Sequence, residues 1–390
     1  MPMSISDLRD GGYRERLPSV CSYTFSKPGT RTRQPQLSER HRGGRGTVVP
    51  PHHLLYNAAA VVWLKLGRLL DLASDTAAAI APLNSVFGAL AAGTLYALLR
   101  KRAQLRRGLA VSTTIGAVVS FGFWFYSGCV EVYLLPLLFL LATLYVALAA
   151  TLTRSHLLTI GFLHGVAMLG HQIHVLFGLV ILAALWLRRK QAAIPFGRST
   201  AMYVASGAVV VLLGYGTVLL AFVRPSSFNE AWSWFTLYAH NESYWHGLSV
   251  TTLAMAAMGL GRAFVGGHFA FALPSVRNAM TAAFPDKSLV DEAFLVRGLP
   301  EYAPYLLIAG AAPFGLGFGA MLIRGVLRRR QMVSEARQPA FLVALWIGIY
   351  ASFFFFWQPY NVEFWIPQVT ALWMLLALLC TDVLPPAAST

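Results

Sequence analysis

Apolar runs close to 20 residues long recur along this chain, several of them separated by only a few polar residues. A run of that length matches the ~30 Å hydrocarbon core of a bilayer, where backbone polar groups have to be satisfied within the segment, so the runs read as membrane-crossing helices. Composition agrees. Of 390 residues 56% are hydrophobic and 12% charged, about half the ~25% charged share of a soluble domain. The sequence therefore predicts an all-α, polytopic transmembrane helix bundle that rests in the lipid bilayer over residues 50–390, behind a polar, irregular tail over 1–49.

Spans are predicted at Thr76 to Leu99, Leu109 to Tyr126, Val130 to Leu152, Thr200 to Val223, Tyr305 to Ile323, Phe341 to Trp357 and Phe364 to Cys380. The run Leu157 to Leu187 is too long for one crossing and is interrupted around Gly170 to His174, which predicts two short ones. His53 to Leu70 carries Lys65 and Arg68 and reads as an interfacial helix. Arg224 to Leu248, with three tryptophans and two tyrosines among polar residues, reads as a headgroup-level loop, and 274–301 as a polar loop. The basic clusters Arg100 to Arg107, Arg188 to Lys190 and Arg324 to Arg330 belong on the cytoplasmic side. The alternation closes only if Val250 to Leu273 is re-entrant or lies on the surface, which gives nine crossings. Residues 1–75, with eight arginines in the first 50, then fall outside. Either that tail is a tolerated exception to the positive-inside rule, or a preceding span has been lost.

The net charge of +15 sits largely in these short connections, so it serves topology and implies no nucleic-acid partner. Cys21, Cys129 and Cys380 have no metal-binding or redox spacing. No fixed-period repeat and no phosphate-binding glycine loop occurs.

Chemistry is then expected from the few polar groups near the outward turns. Glu131 follows an aromatic run and opens a span; it is either a solvated helix-start acid or a ligand for a metal, a substrate hydroxyl or a cation. His164 reads as a packed interior histidine, whereas His171 and His174 lie in the break and suit an anionic group. Tyr360, Asn361 and Glu363 share a turn between Pro359 and Pro367. His52 and His53 follow a Pro-Pro pair.

Taken together, PHHLLYN, Pro82 to Arg102, Phe123 to Leu148, Gly165 to Leu179 and WQPYNVEFWIP resemble the GT-C membrane glycosyltransferases, specifically the protein O-mannosyltransferase-like branch. The resemblance covers the chain from Pro50 onward. It implies a GT-C-like bundle in a bacterial plasma membrane. The implied reaction transfers a sugar, with inversion, from a polyprenyl- or dolichyl-phosphate donor to an acceptor hydroxyl on a protein or glycan at the extracytoplasmic face. In that family an acidic residue in the first outward loop is the general base. Here neither the first span nor that loop precedes PHHLLYN, and Asp7 and Asp10 match nothing, so the catalytic residue is left unassigned. His52, His53, His171 and His174 would then serve the phosphate, and Glu131 would orient the acceptor or bind a divalent cation. Two other readings stand beside this one: a transporter or flippase of lipid-linked sugars, and a non-catalytic relative.

Overall fold

The computed structural model describes residues 51–70, 76–190, 193–236, 244–283, 296, 299–328 and 334–380. The tail 1–49 lies outside the described residues, as do 237–243 of the aromatic loop and 284–295 and 297–298 of the polar loop. Among the described residues the chain is helical and forms no strand.

A 3₁₀ turn at Pro51–His53 leads into α1, Leu54–Leu69. Helix α2, Thr76–Ala97, continues through a wider turn to Arg102. Next come α3, Arg107–Val119, α4, Phe121–Ser127, α5, Leu134–Ala147, α6, Arg154–Gly170, α7, Phe177–Leu187, and α8, Phe196–Val218, which winds on to Val223. The second half holds α9, Phe228–Phe235, α10, Val250–Val265, α11, Pro274–Ala283, α12, Ala303–Leu327, α13, Ser334–Phe356, and α14, Val362–Leu379.

Five of these helices are long and apolar enough to cross a bilayer: Ala79–Arg102, Phe196–Val223, Ala303–Leu327, Ala336–Phe356 and Val362–Leu379. The pair α3 and α4, bent by 67° at Ser120, makes a sixth. The bend has a local cause, because Ser120 leaves helical geometry, its hydroxyl donates to the Gly116 carbonyl at 2.8 Å, and it accepts the Trp373 indole N–H at 3.0 Å. The other three expected crossings are short. Helices α5, α6 and α7 have 14, 17 and 11 residues, or about 21, 26 and 17 Å.

Burial separates core from periphery. Over its most apolar window α14 is 78% buried inside the protein, whereas α8 is 11% and α12 is 0% buried. Helix α14 is thus the central helix, and the apolar surfaces of α8 and α12 face outward, where a bilayer covers them. Helix α10 buries one stripe, Thr252, Met255, Ala256, Gly259 and Ala263, and stops at Gly266 and Gly267. Both glycines have positive φ, 86° and 70°, a conformation open to glycine at no steric cost. The sequence 224–248 forms α9 and then tacks onto the α13–α14 turn, with His246 N–H donating to Phe356 C=O at 2.8 Å and Gln358 N–H to Tyr244 C=O at 2.9 Å.

Helices α6 and α8 approach through glycines four residues apart. A Cβ on Gly161 would strike the Tyr203 backbone carbonyl, and one on Gly165 would lie 2.9 Å from the Gly207 carbonyl, the small-residue crossing that membrane helices use. Gly317 has nothing within 4 Å of such a Cβ. Gly161→Val is therefore expected to cost about 1–3 kcal/mol of stability by overpacking, seen as a lower Tm in detergent, while Gly317→Ala leaves Tm unchanged. Equal Tm values for the two variants would refute the close α6–α8 crossing.

Candidate functional site

The turn carrying Glu131 is shaped by α2. Asn84, fully buried on that helix, donates through Nδ2 to the carbonyls of Cys129 and Glu131, and Ser85 Oγ donates to the Ser127 carbonyl at 2.8 Å. Across from it the chain reverses at 357–361, where Asn361 caps α14. Its Oδ1 accepts the Glu363 N–H at 3.3 Å, and its Nδ2 donates to Gln358 Oε1 at 3.2 Å. Glu363 thereby sits in the first turn of the central helix. The Tyr133, Asn361 and Tyr126 side chains hydrogen-bond its carboxylate, and the Arg262 charge acts on it from α10.

Glu131 and Glu363 form a pair. Burial first, and then the facing Glu363 charge, push the Glu131 carboxyl up from 4.5 to about 8, against a smaller opposing effect of the Val132 backbone N–H. Two carboxylates in one apolar site cannot both ionise readily. At neutral pH the pair therefore holds one proton.

A cluster of imidazoles lies beside this pair. His52 and His53 stand edge to face at 4.2 Å between centroids, His53 and His171 at 5.0 Å, and His171 and His174 at 6.0 Å. Tyr133 joins the two groups, because its hydroxyl binds Glu363 while its ring stacks on His171 at 5.8 Å. Phe364, next to Glu363, closes against both Tyr133 and His171. Burial pushes His52 down to about 4, and burial with the neighbouring imidazoles holds His53 and His171 well below the usual histidine range. These three are neutral at pH 7.

The break between α6 and α7 fixes the tautomer of His171. Ile173 N–H donates to His171 Nδ1 at 3.3 Å, so the proton of that neutral ring is on Nε2. His174 Nδ1 and the Tyr350 hydroxyl share a hydrogen bond at 3.0 Å, and among the described residues His174 Nε2 has no partner. His164 stays in the packing role expected for it. Buried to 2% exposure, it takes the Tyr203 hydroxyl on Nδ1 at 2.7 Å and contacts the His174 carbonyl through Nε2 at 2.8 Å.

Among the described residues some interior polar atoms have no hydrogen-bond partner: His53 Nδ1, His174 Nε2, Asn84 Oδ1 and both amide atoms of Gln368. Phe354 and Phe364 stack at 5.1 Å across the α13–α14 hairpin. One turn further in on each antiparallel helix brings Tyr350 and Gln368 to the same level, that of His174. The unpartnered groups thus continue the site inward from His171.

Of the residues singled out from sequence, His52, His53, Glu131, His171, His174, Asn361 and Glu363 converge at one end of the bundle. Tyr360 is turned to the 244–246 segment, its ring 6.4 Å from that of His246. Among the described residues no three His, Cys, Asp or Glu side chains are placed to hold a metal ion. Tyr126, Tyr133 and Tyr350 were not predicted, since tyrosines inside apolar runs look like interface anchors until their partners are known. Comparison with known protein families, curated proteins and solved structures finds no match for this chain.

The opposed shifts predict a stability profile. A carboxyl raised on folding contributes stability that is present below pH 4.5 and is lost as pH rises towards 8, whereas histidines depressed on folding contribute stability present above 6.5 and lost as pH falls towards 4. Glu131→Gln removes the first slope, so its Tm in detergent should rise relative to wild type between pH 5 and 8. Parallel Tm profiles for the two proteins across that window would sink the assignment.

Proposed function

We propose that the protein is an integral-membrane glycosyltransferase that moves a sugar from a polyprenyl-phosphate donor to an acceptor hydroxyl at the end of the bundle opposite its basic clusters. One observation carries this reading: a buried carboxylate pair stands beside a set of neutral imidazoles, and Tyr133 joins the two. Attack at an anomeric carbon needs a base on the acceptor and donors on the departing phosphate. The pair supplies the first and the imidazoles supply the second.

In this scheme the ionised member of the pair takes the acceptor proton as the acceptor oxygen bonds to the anomeric carbon. The bond from that carbon to the phosphate oxygen breaks, and polyprenyl phosphate leaves with the electron pair. His171 and His174 donate from Nε2 to the phosphate, and His52 and His53 flank them. The apolar surroundings strengthen each of these interactions relative to water. Glu363 and Glu131 thus take the place of the N-terminal acid that the family resemblance calls for.

The test uses the full chain in proteoliposomes with a labelled polyprenyl-phosphate sugar and hydroxyl acceptors. Wild type should transfer label, and Glu131→Gln and His171→Ala should each lower the rate about 100-fold or more. Unchanged transfer in both variants refutes the site, and label crossing the bilayer without transfer favours a flippase. Tyr133→Phe, which removes one donor to Glu363 and keeps the ring on His171, should lower transfer about tenfold, in line with the ~1.5 kcal/mol of a hydrogen bond to a charged group. Full activity in that variant would show that Tyr133 only packs.

A further inference from the structure

The opposite end of α5 carries a second arrangement that the transfer reaction does not use. There Arg102 Nε donates to the Tyr145 carbonyl at 2.9 Å, with its guanidinium 4.2 Å over the Tyr145 ring. Arg188 donates from Nη1 to the Ala147 carbonyl at 2.8 Å and from Nη2 to the Ala150 carbonyl at 2.6 Å. Two guanidiniums therefore close on one helix C-terminus. A helix end carries roughly half a negative charge, so one arginine would more than balance it and two leave a surplus. Among the described residues no carboxylate pairs with either, and Glu131 lies beyond the other end of α5, about 21 Å away by helix length. Both side chains are half-buried. Burial, and then the Arg102 charge, depress the Arg188 guanidinium from its usual range, which shows how near the two cations stand.

An amphipathic aromatic–arginine pair also lies at this end. Trp186, half exposed, carries the Arg189 guanidinium 3.8 Å over its ring, the amphipathic anchor found at membrane interfaces. The guanidiniums keep donors beyond those spent on carbonyls, since each has five N–H groups in a planar fork that suits phosphate oxygens. We propose that Arg102 and Arg188 form a binding site for the phosphodiester of an anionic phospholipid. The lipid headgroup supplies the anion that the fold omits, and its chains run along the outer surface.

The experiment measures lipid binding to the full-length detergent-purified protein by native mass spectrometry, with phosphatidylglycerol against phosphatidylcholine. Wild type should prefer phosphatidylglycerol, and Arg102→Gln and Arg188→Gln should each weaken its binding about fivefold, or about 30-fold together. Arg189→Gln removes the same charge from the same end and should leave binding near wild type. An equal loss in Arg189→Gln means a diffuse charge effect and overturns the site. Wild-type protein alone provides a reading that needs no variant: inorganic phosphate at millimolar concentration should fail to displace the lipid. Full displacement would make this a free-phosphate site, and equal binding of the two lipids would remove the site altogether.

Discussion

A carboxylate inside an apolar helix bundle is the constraint on which the outward end of this structure depends. A buried charge has to be paired or hydrogen-bonded, and Glu363 has both donors and a cation around it. Tyr133 comes from the start of α5, Tyr126 from α4, Asn361 from the cap of α14 and Arg262 from α10. Three other elements are thereby drawn to one residue of α14, and the Glu131 turn, clamped by Asn84 from α2, makes a fourth. Removing the acid would leave these polar groups facing one another without a common partner.

The break between α6 and α7 is held by the same logic. His171 leaves helical geometry with φ −159° and ψ 126°, and the chain resumes only at Phe177. Irregular backbone at membrane depth is tolerated where it is buried in protein. Here His164 reaches the His174 carbonyl and Tyr350 the His174 ring, while Tyr203 holds His164 in place from α8. The histidine at 164 is thus a fixture of the break, and those at 171 and 174 are what the break presents.

The fold was legible where hydropathy alone decides it. The long crossings and the interruption near Gly170 follow from runs of apolar residues and their gaps. Helix α5 shows where that reading fails: Val130 to Leu152 reads as one span with a single acid, Glu131, at its start, yet the helix spans Leu134–Ala147. Asn84 peels the Cys129–Glu131 backbone away at one end, and arginines close the other. Neither partner is visible within the run. The candidate site was legible residue by residue, because acids and histidines are rare in such sequence. What joins them was not. Tyr133 sits two positions from Glu131 in a stretch that spells packing, and its bond to Glu363 depends on how α5 meets α14.

The neutrality of the imidazoles gives the two halves of the site different tasks. Buried cations without counterions are costly, so in the absence of an anion His52, His53 and His171 stay uncharged. An arriving phosphate changes that balance, because a negative charge within a few ångströms favours the protonated ring. In the proposed transfer, binding of the phosphate is then linked to proton uptake by the cluster, and the raised Glu131 carboxyl is a proton source for it. A proton moving from Glu131 towards the imidazoles would leave a free carboxylate on the acceptor side just as positive charge gathers on the phosphate side. Tyr133, bonded to Glu363 and stacked on His171, stands between the two groups.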